Sequence, residues 1–389
     1  MGHFEVSARL KKIKPSGTRR LFALAQQERD VISLGIGEPD FASPPHVLEA
    51  SKSALNEGKT HYTPSSGIME LREALAKKAK NDHNLSYDPA SEVLVTAGGT
   101  EAIFLALQAL VNPGDEVLIP NPGFVCYEPS ALMAEGVPVS IPLLEENHFR
   151  FNVTDVMSLI TEKSRVMIIN SPNNPTGSVL SYNEIAEIAK LAVERDLIVI
   201  SDEVYEKILY DGVKHYCLAT FPGMRERTII VNSFSKTYAM TGFRVGFVYA
   251  PADLISPMLL VHQYLTACVN GPAQHGAVAA LDGPQSSVKN MVKEFDRRRQ
   301  LFHSRINEIY GFRCILPKGA FYAFANIEKF KMSSEKFTEY LFDKSKVVTV
   351  AGSAFGNYGE GYTRFSFATE YDKIEEALDR IEKTVKESR

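Results

Sequence analysis

The sequence predicts an α/β protein: a large domain on a mostly parallel sheet covered by helices, then a smaller α+β domain. Two observations predict this. Through the middle of the chain, short β-branched apolar runs alternate with helical stretches, the pattern of a sheet whose strands are buried on both faces. Near residue 280 that alternation stops, and longer helices with separate strands replace it.

In chain order, the expected strands of the larger domain are Glu92 to Thr96, Glu116 to Ile119, Val166 to Ile169, Leu197 to Ile200, Thr228 to Val231 and Val245 to Tyr249. Helices separate several of them. Ala102 to Val111 is apolar, and Asn183 to Arg195 carries Ile185, Ile188, Ala189 and Ala192 along one stripe. Together they set the large domain at residues 46–280. In the tail, Ser287 to Tyr310 reads as a long helix with Val288, Met291, Val292, Phe295 and Phe302 on its apolar side. Strands follow at Ala320 to Phe324 and Tyr362 to Phe367, and a helix over Asp372 to Lys386 carries Ile374, Leu378, Ile381 and Val385 at helical spacing. Residues 281–389 form the smaller domain, joined by residues 1–45.

Composition narrows the function classes. The chain has 389 residues, 44% hydrophobic and 23% charged, enough to bury a sizeable core without disulfides. Lys+Arg 43 against Asp+Glu 47 leave a net charge of −4, so no polybasic surface for nucleic acid is expected. No apolar run is long enough to span a bilayer, and Met1-Gly2-His3-Phe4-Glu5 lacks the regions of a signal peptide. A cytoplasmic protein without a membrane partner is expected. Cys126, Cys217, Cys268 and Cys314 are scattered with no CxxC pair and read as reduced thiols. The nine histidines offer no H-x-x-x-H pair, and no metal is expected.

Several segments carry chemistry. Lys236 lies in Ser233-Phe234-Ser235-Lys236, with Arg244 eight residues further on. An amine beside two hydroxyls and a guanidinium suits a lysine that forms a Schiff base with an aldehyde cofactor bearing a phosphate. A solvated surface lysine is the plain alternative. Gly98-Gly99-Thr100 follows a strand and opens a helix, either as an anion site on free backbone amides or as a packing turn. Asp202 closes a buried strand, either as partner to a protonated pyridine nitrogen or as the cap of the next helix. Tyr205, three residues on, has the reach for a ring hydroxyl. Asn174, in the loop Asn170 to Gly177, either presents its amide to a ligand or serves turn chemistry. Phe124 either stacks on a planar ring or fills the core. Arg364 interrupts the strand Tyr362 to Phe367, where a guanidinium either clamps a carboxylate or lies on an exposed sheet face.

Their shared location decides between these alternatives. Thr100, Phe124, Asn174, Asp202 and Lys236 each fall just past the C-terminal end of an expected strand. That edge is where open α/β sheets bind ligands, and five unrelated accidents would not share it.

Together these segments resemble the class I, fold-type I aminotransferases that use pyridoxal 5′-phosphate (PLP), in particular their archaeal and bacterial aspartate/aromatic branch. The motifs are Ser33-Leu34-Gly35-Ile36-Gly37-Glu38-Pro39-Asp40, Tyr62-Thr63-Pro64, Asn170 to Gly177, Ser201 to Tyr205 and Ser233 to Gly246, and the resemblance runs over essentially the whole chain. It implies that Lys236 joins the cofactor and that Asp202 pairs with its pyridine nitrogen. It also implies that Tyr205 and Asn174 bind the ring hydroxyl and that Phe124 stacks on the ring. Gly99, Thr100, Ser233, Ser235 and Arg244 would hold the phosphate. Tyr62 would reach the neighbouring subunit's phosphate, in a homodimer with shared sites and with dimer contacts from residues 1–45. Arg364 would grip the substrate α-carboxylate, with Asn174 and the Gly37 backbone beside the substrate. The implied reaction moves an amino group from an aspartate-type or aromatic amino acid to a 2-oxo acid, 2-oxoglutarate, by a ping-pong mechanism.

One departure bears on specificity. Thr100 stands where some aspartate-specific relatives carry a lysine that reads the distal carboxylate, and no substitute for it is evident. Two other functions use the same parts. A lyase of this fold would catalyse β- or γ-elimination with the same Lys236, Asp202 and Arg364. A non-catalytic PLP-binding effector domain would need a DNA-binding module ahead of Gly35-Ile36-Gly37, for which only about 30 residues are at hand.

Overall fold

The computed structural model describes residues 5–13, 28 and 30–387. Its strands are β1 Ile32–Ser33, β2 Val93–Thr96, β3 Glu116–Asn121, β4 Val137–Pro142, β5 Ser164–Asn170, β6 Ile198–Asp202, β7 Thr228–Ser233 and β8 Gly246–Tyr249, then β9 Arg313–Cys314, β10 Tyr322–Asn326, β11 Val347–Val348, β12 Val350–Ala351 and β13 Tyr362–Ser366. A seven-stranded sheet runs in the order β2-β8-β7-β6-β5-β3-β4. The pairs β3–β4, β3–β5, β5–β6 and β6–β7 are parallel, whereas β8 is antiparallel to both β7 and β2. The reversal of β8 brings its first residue, Gly246, level with Thr96 and Ser233 at the C-terminal ends of β2 and β7.

Side-chain alternation builds a core on each face of this sheet. Leu94, Ile229, Val231 and Val248 pack with the helices Gly99–Leu110 and Ala252–Leu265. Their neighbours Val93, Val95, Ile230 and Phe247 turn the other way, toward Met69–His83 and Gly271–Asp282. Helix Tyr182–Glu194 covers Met167, Ile169 and Val199, with Ile185, Ile188, Ala189 and Ala192 buried as its stripe predicts. Strand β4 was not expected from sequence. It is an edge strand that carries two prolines and is largely unburied, so it shows none of the apolar continuity of its neighbours.

The tail builds a four-stranded sheet in the order β12-β13-β10-β9, with helices Ser286–Glu308, Ser334–Ser345 and Tyr371–Glu387 around it. Its core includes Phe295, Phe302, Phe337, Phe365, Ile374 and Leu378. Short β1 pairs with β11 in parallel, and Ser366 N–H donates to Leu34 O. The segment after β1 is thereby laid along the tail and across the C-terminal edge of the large sheet.

Candidate active site

Lys236 is in the short helix Phe234–Thr237, directly after β7. Its Nζ donates to Gly37 O at 2.5 Å, which joins the segment after β1 to the segment after β7. Burial, then the charges of Arg364 and Arg244, lower its pKa from 10.5 to about 8, against opposing effects of Glu38 and Asp202. Asp202 ends β6 and is buried. No helix starts after it. Its Oδ1 accepts from Val204 N–H at 3.3 Å and its Oδ2 from Tyr127 Oη at 2.7 Å, so the helix-cap alternative is set aside. Burial raises its pKa to about 6, despite these two donors.

The end of β5 is tied to the end of β6, since Asn170 Nδ2 donates to Asp202 O and Asn170 Oδ1 accepts from Asn174 N–H. Asn174 Oδ1 in turn accepts from Arg364 Nη1 at 3.0 Å, while Arg364 Nη2 donates to Gly35 O at 2.6 Å. Arg364 is 7% exposed, so the exposed-face alternative fails. Its guanidinium lies 4.4 Å from the Tyr322 ring centroid and 4.9 Å from that of Phe355, and its buried Nε has no partner among the described residues.

The glycine turn is a cup. The helix begins at Gly99, three residues before the expected Ala102, so Gly99 and Thr100 supply its first free amides. Gly98 has a φ of +87°, and a Cβ there would lie 2.5 Å from Arg244 Nη2. A Cβ on Gly246 would lie 2.5 Å from the carbonyl carbon of Gly98. Side chains at these positions would fill the cup or push it open. Arg244 adopts a left-handed φ of 54° and donates to Thr241 O and Ala97 O. Ser233 Oγ accepts from Ser235 N–H and bonds Ser235 Oγ and Val245 O. Phe124 packs edge-on against Tyr127. Tyr62 stands apart within this chain, with 90% of its surface exposed.

Comparison with known proteins decides the family. The model of the family described as aminotransferase class I and II matches residues 29–381. The aspartate aminotransferase of Pyrococcus abyssi is 50% identical over 99% of both chains. Aromatic-amino-acid aminotransferase 2 of Thermococcus litoralis is 47% identical over 99% of both. Among solved structures, Pyrococcus protein-A1 superposes with a TM-score of 0.96 at 48% identity, over 98% of each chain.

The chain belongs to the class I and II aminotransferases.

It is therefore a PLP-dependent aminotransferase of fold type I, with amino acids and oxo acids as substrates. The residues present fit PLP. The glycine cup beside Arg244 suits a phosphate, the buried Asp202 carboxylate has donors but, among the described residues, no cation paired to it, and Lys236 is an amine depressed toward neutrality.

Two residues of this aminotransferase site escape a sequence reading. Tyr322 Oη lies 2.9 Å from Tyr205 Oη, and a Cβ on Gly37 would lie 2.6 Å from that same Tyr322 oxygen. Tyr322 thus joins Tyr205, Gly37 and Arg364. Tyr127 is the second, and its three-residue spacing from Phe124 was the available signal. Behind the turn from Asp202 to Glu206, Glu203 and Glu206 face away from Asp202 and Tyr205 into an ionic cluster. There Glu203, Glu206, His215, His83, Asp82 and Cys217 form three overlapping groups whose potential ligand atoms lie within 4.8 Å of one another. Lys78 Nζ reaches Glu206 and Asp82 at 2.6 Å, Lys207 reaches Asp82, and His215 Nε2 lies 2.8 Å from Glu203. With His83 Nε2 3.2 Å from Glu206, three carboxylates thus already meet two lysines and two histidines.

Proposed function

We propose that the enzyme is a cytoplasmic homodimer that transfers the amino group of an aspartate-type or aromatic amino acid to 2-oxoglutarate by a ping-pong route. The observation that carries it is Arg364, a buried cation beside Lys236 that, among the described residues, pairs with no carboxylate and leaves Nε unpartnered. Such a group is costly to bury unless an anion arrives to meet it. An α-carboxylate held there through two parallel bonds places the substrate Cα toward Lys236.

PLP, when bound, supplies an aldehyde that takes up the amino group and a ring that withdraws electrons from Cα. Lys236 would be its covalent partner. Gly99, Thr100, Ser233, Ser235 and Arg244 would hold its phosphate, Phe124 its ring face, and Tyr205 with Asn174 its hydroxyl. Asp202 would keep the ring nitrogen protonated. With a pKa near 8, Lys236 Nζ is partly neutral at physiological pH and accepts the Cα proton as general base. The Gly37 carbonyl on Nζ orients that amine.

Residues 46–280 would form the PLP-binding unit and 281–389 the smaller domain. The pairing of β1 with β11 supports assigning residues 1–45 to the latter. Tyr62 and Tyr264, 90% and 88% exposed, with Leu260 and Leu265, supply an apolar surface for a second copy, and Tyr62 would complete the partner's phosphate site. Four unpaired cysteines support a reducing compartment.

The test is a half-reaction screen. Holoenzyme is offered one amino acid at a time while the visible absorption is followed and the released acids are identified. Aspartate, tyrosine or phenylalanine should bleach the spectrum and yield the matching oxo acid. Pyruvate with free ammonia would instead indicate elimination. Lys236→Ala should lower turnover at least about 10³-fold and leave no cofactor fixed to position 236 after borohydride treatment.

A further inference from the structure

Tyr127 is fully buried at the start of the short helix Tyr127–Met133, and its hydroxyl donates to Asp202 Oδ2 at 2.7 Å. Among the described residues it is the only side chain that donates to this carboxylate, the Val204 amide being longer at 3.3 Å. The Tyr127 ring is set edge-on against Phe124 at 5.8 Å, so one side chain touches both residues expected to meet the cofactor ring. We propose that Tyr127 is a positioning residue for PLP: it holds Asp202 ionised and turned toward the ring nitrogen. This rests on the reading of Asp202 as the partner of that nitrogen.

Every group facing the Asp202 carboxylate bears on its charge. Cys126 immediately precedes the short helix that Tyr127 opens, Lys236 follows β7, and Glu203 and Tyr205 share the turn of Asp202 itself. Burial drives the Cys126, Tyr127 and Tyr205 protons to stay on, so these three remain neutral. Glu203 disfavours the Asp202 charge and Lys236 favours it. Once Lys236 is partly neutral, the Tyr127 hydroxyl becomes the steadier support. A donor stabilises the ionised carboxylate and so lowers its pKa, and loss of the donor must raise it.

The experiment compares wild type, Tyr127→Phe, Tyr127→His, Asp202→Asn and the Tyr127→Phe/Asp202→Asn double variant as holoenzymes. Two quantities are read besides activity: the pH titration of the cofactor's visible absorption, and the rate at which cofactor is lost on dialysis. Phenylalanine keeps the ring and its contact with Phe124. Tyr127→Phe should move the acidic limb of the titration upward by about one pH unit, the expected effect of one charge-assisted hydrogen bond, and speed cofactor loss roughly tenfold. Tyr127→His retains a ring donor and should fall between phenylalanine and wild type. The double variant should match Asp202→Asn. A Tyr127→Phe titration superimposable on wild type, with Asp202→Asn still altered, overturns the role of Tyr127 alone. So does a Tyr127→His variant no closer to wild type than phenylalanine. Should Asp202→Asn itself leave spectrum and cofactor retention unchanged, the reading of Asp202 falls instead.

Discussion

At the scale of single residues, the site is a set of groups that folding leaves electrically incomplete. Arg364 lies against the Tyr322 and Phe355 rings, with no acid against it among the described residues. Lys would keep the charge but lose the planar fork and the stacking. Arg364→Lys should therefore raise KM for donor and acceptor alike by roughly thirtyfold, an effect of about 2 kcal/mol on a bidentate contact. Steady-state kinetics on both half-reactions would check it, and an unchanged KM would remove Arg364 from the substrate. Asp202 shows the converse incompleteness, a buried carboxylate raised to about 6.

At the scale of elements, the turn from Asp202 to Glu206 has two working faces. Asp202 and Tyr205 address the site, and Glu203 and Glu206 are locked into the ionic cluster behind it. Burial works against the charge on Lys78, but Glu206 and Asp82 hold its pKa above the ordinary range. Lys78→Met removes the lysine from Glu206, which is 4% exposed and keeps only His83 Nε2 at 3.2 Å as a direct partner among the described residues, and should cost about 3–5 kcal/mol in urea unfolding. A second change, Glu206→Leu, should recover much of that. A loss below about 1 kcal/mol would mean the pair does not brace the turn. His215 gives the cluster a pH signature. Burial opposes its charge, yet Glu203 raises its pKa above 6.5 overall. A raised pKa in the fold means its contribution is complete below the ordinary histidine range and is lost as pH climbs through the folded value. The gap in unfolding free energy between wild type and His215→Gln should be widest below about pH 6 and narrow at alkaline pH. A gap that widened with pH would contradict the pairing with Glu203.

At the scale of the whole molecule, the sites are expected to be shared between two chains. Sedimentation should give a species of two chains. Mixing a Lys236→Ala chain with a Tyr62→Ala chain tests the sharing directly. In a mixed dimer one site would carry both lesions and the other neither, so activity should rise above that of each parent on exchange. No gain, with mixed dimers demonstrated, would place Tyr62 outside the partner's site. Among the described residues, no helix is long and apolar enough to cross a membrane.

The sequence by itself determined six of the seven strands of the large sheet and the edge along which the candidate site residues fall. Continuous apolar runs admit burial on both faces only, and Lys236, Asp202 and Asn174 each follow one of them. Edge strand β4 was illegible because two prolines interrupt it and Ile141 is its only fully buried residue, so it shows no continuous apolar run. Tertiary structure alone decided which groups meet. The pairing of β1 with β11 lays Gly37 against Lys236, the reversal of β8 puts Gly246 beneath Gly98, Tyr322 arrives from a strand with no local mark of function, and Tyr127 is marked only by its spacing from Phe124. Periodicity records how a segment faces its own layer, whereas contacts between residues far apart in the chain depend on how the layers close.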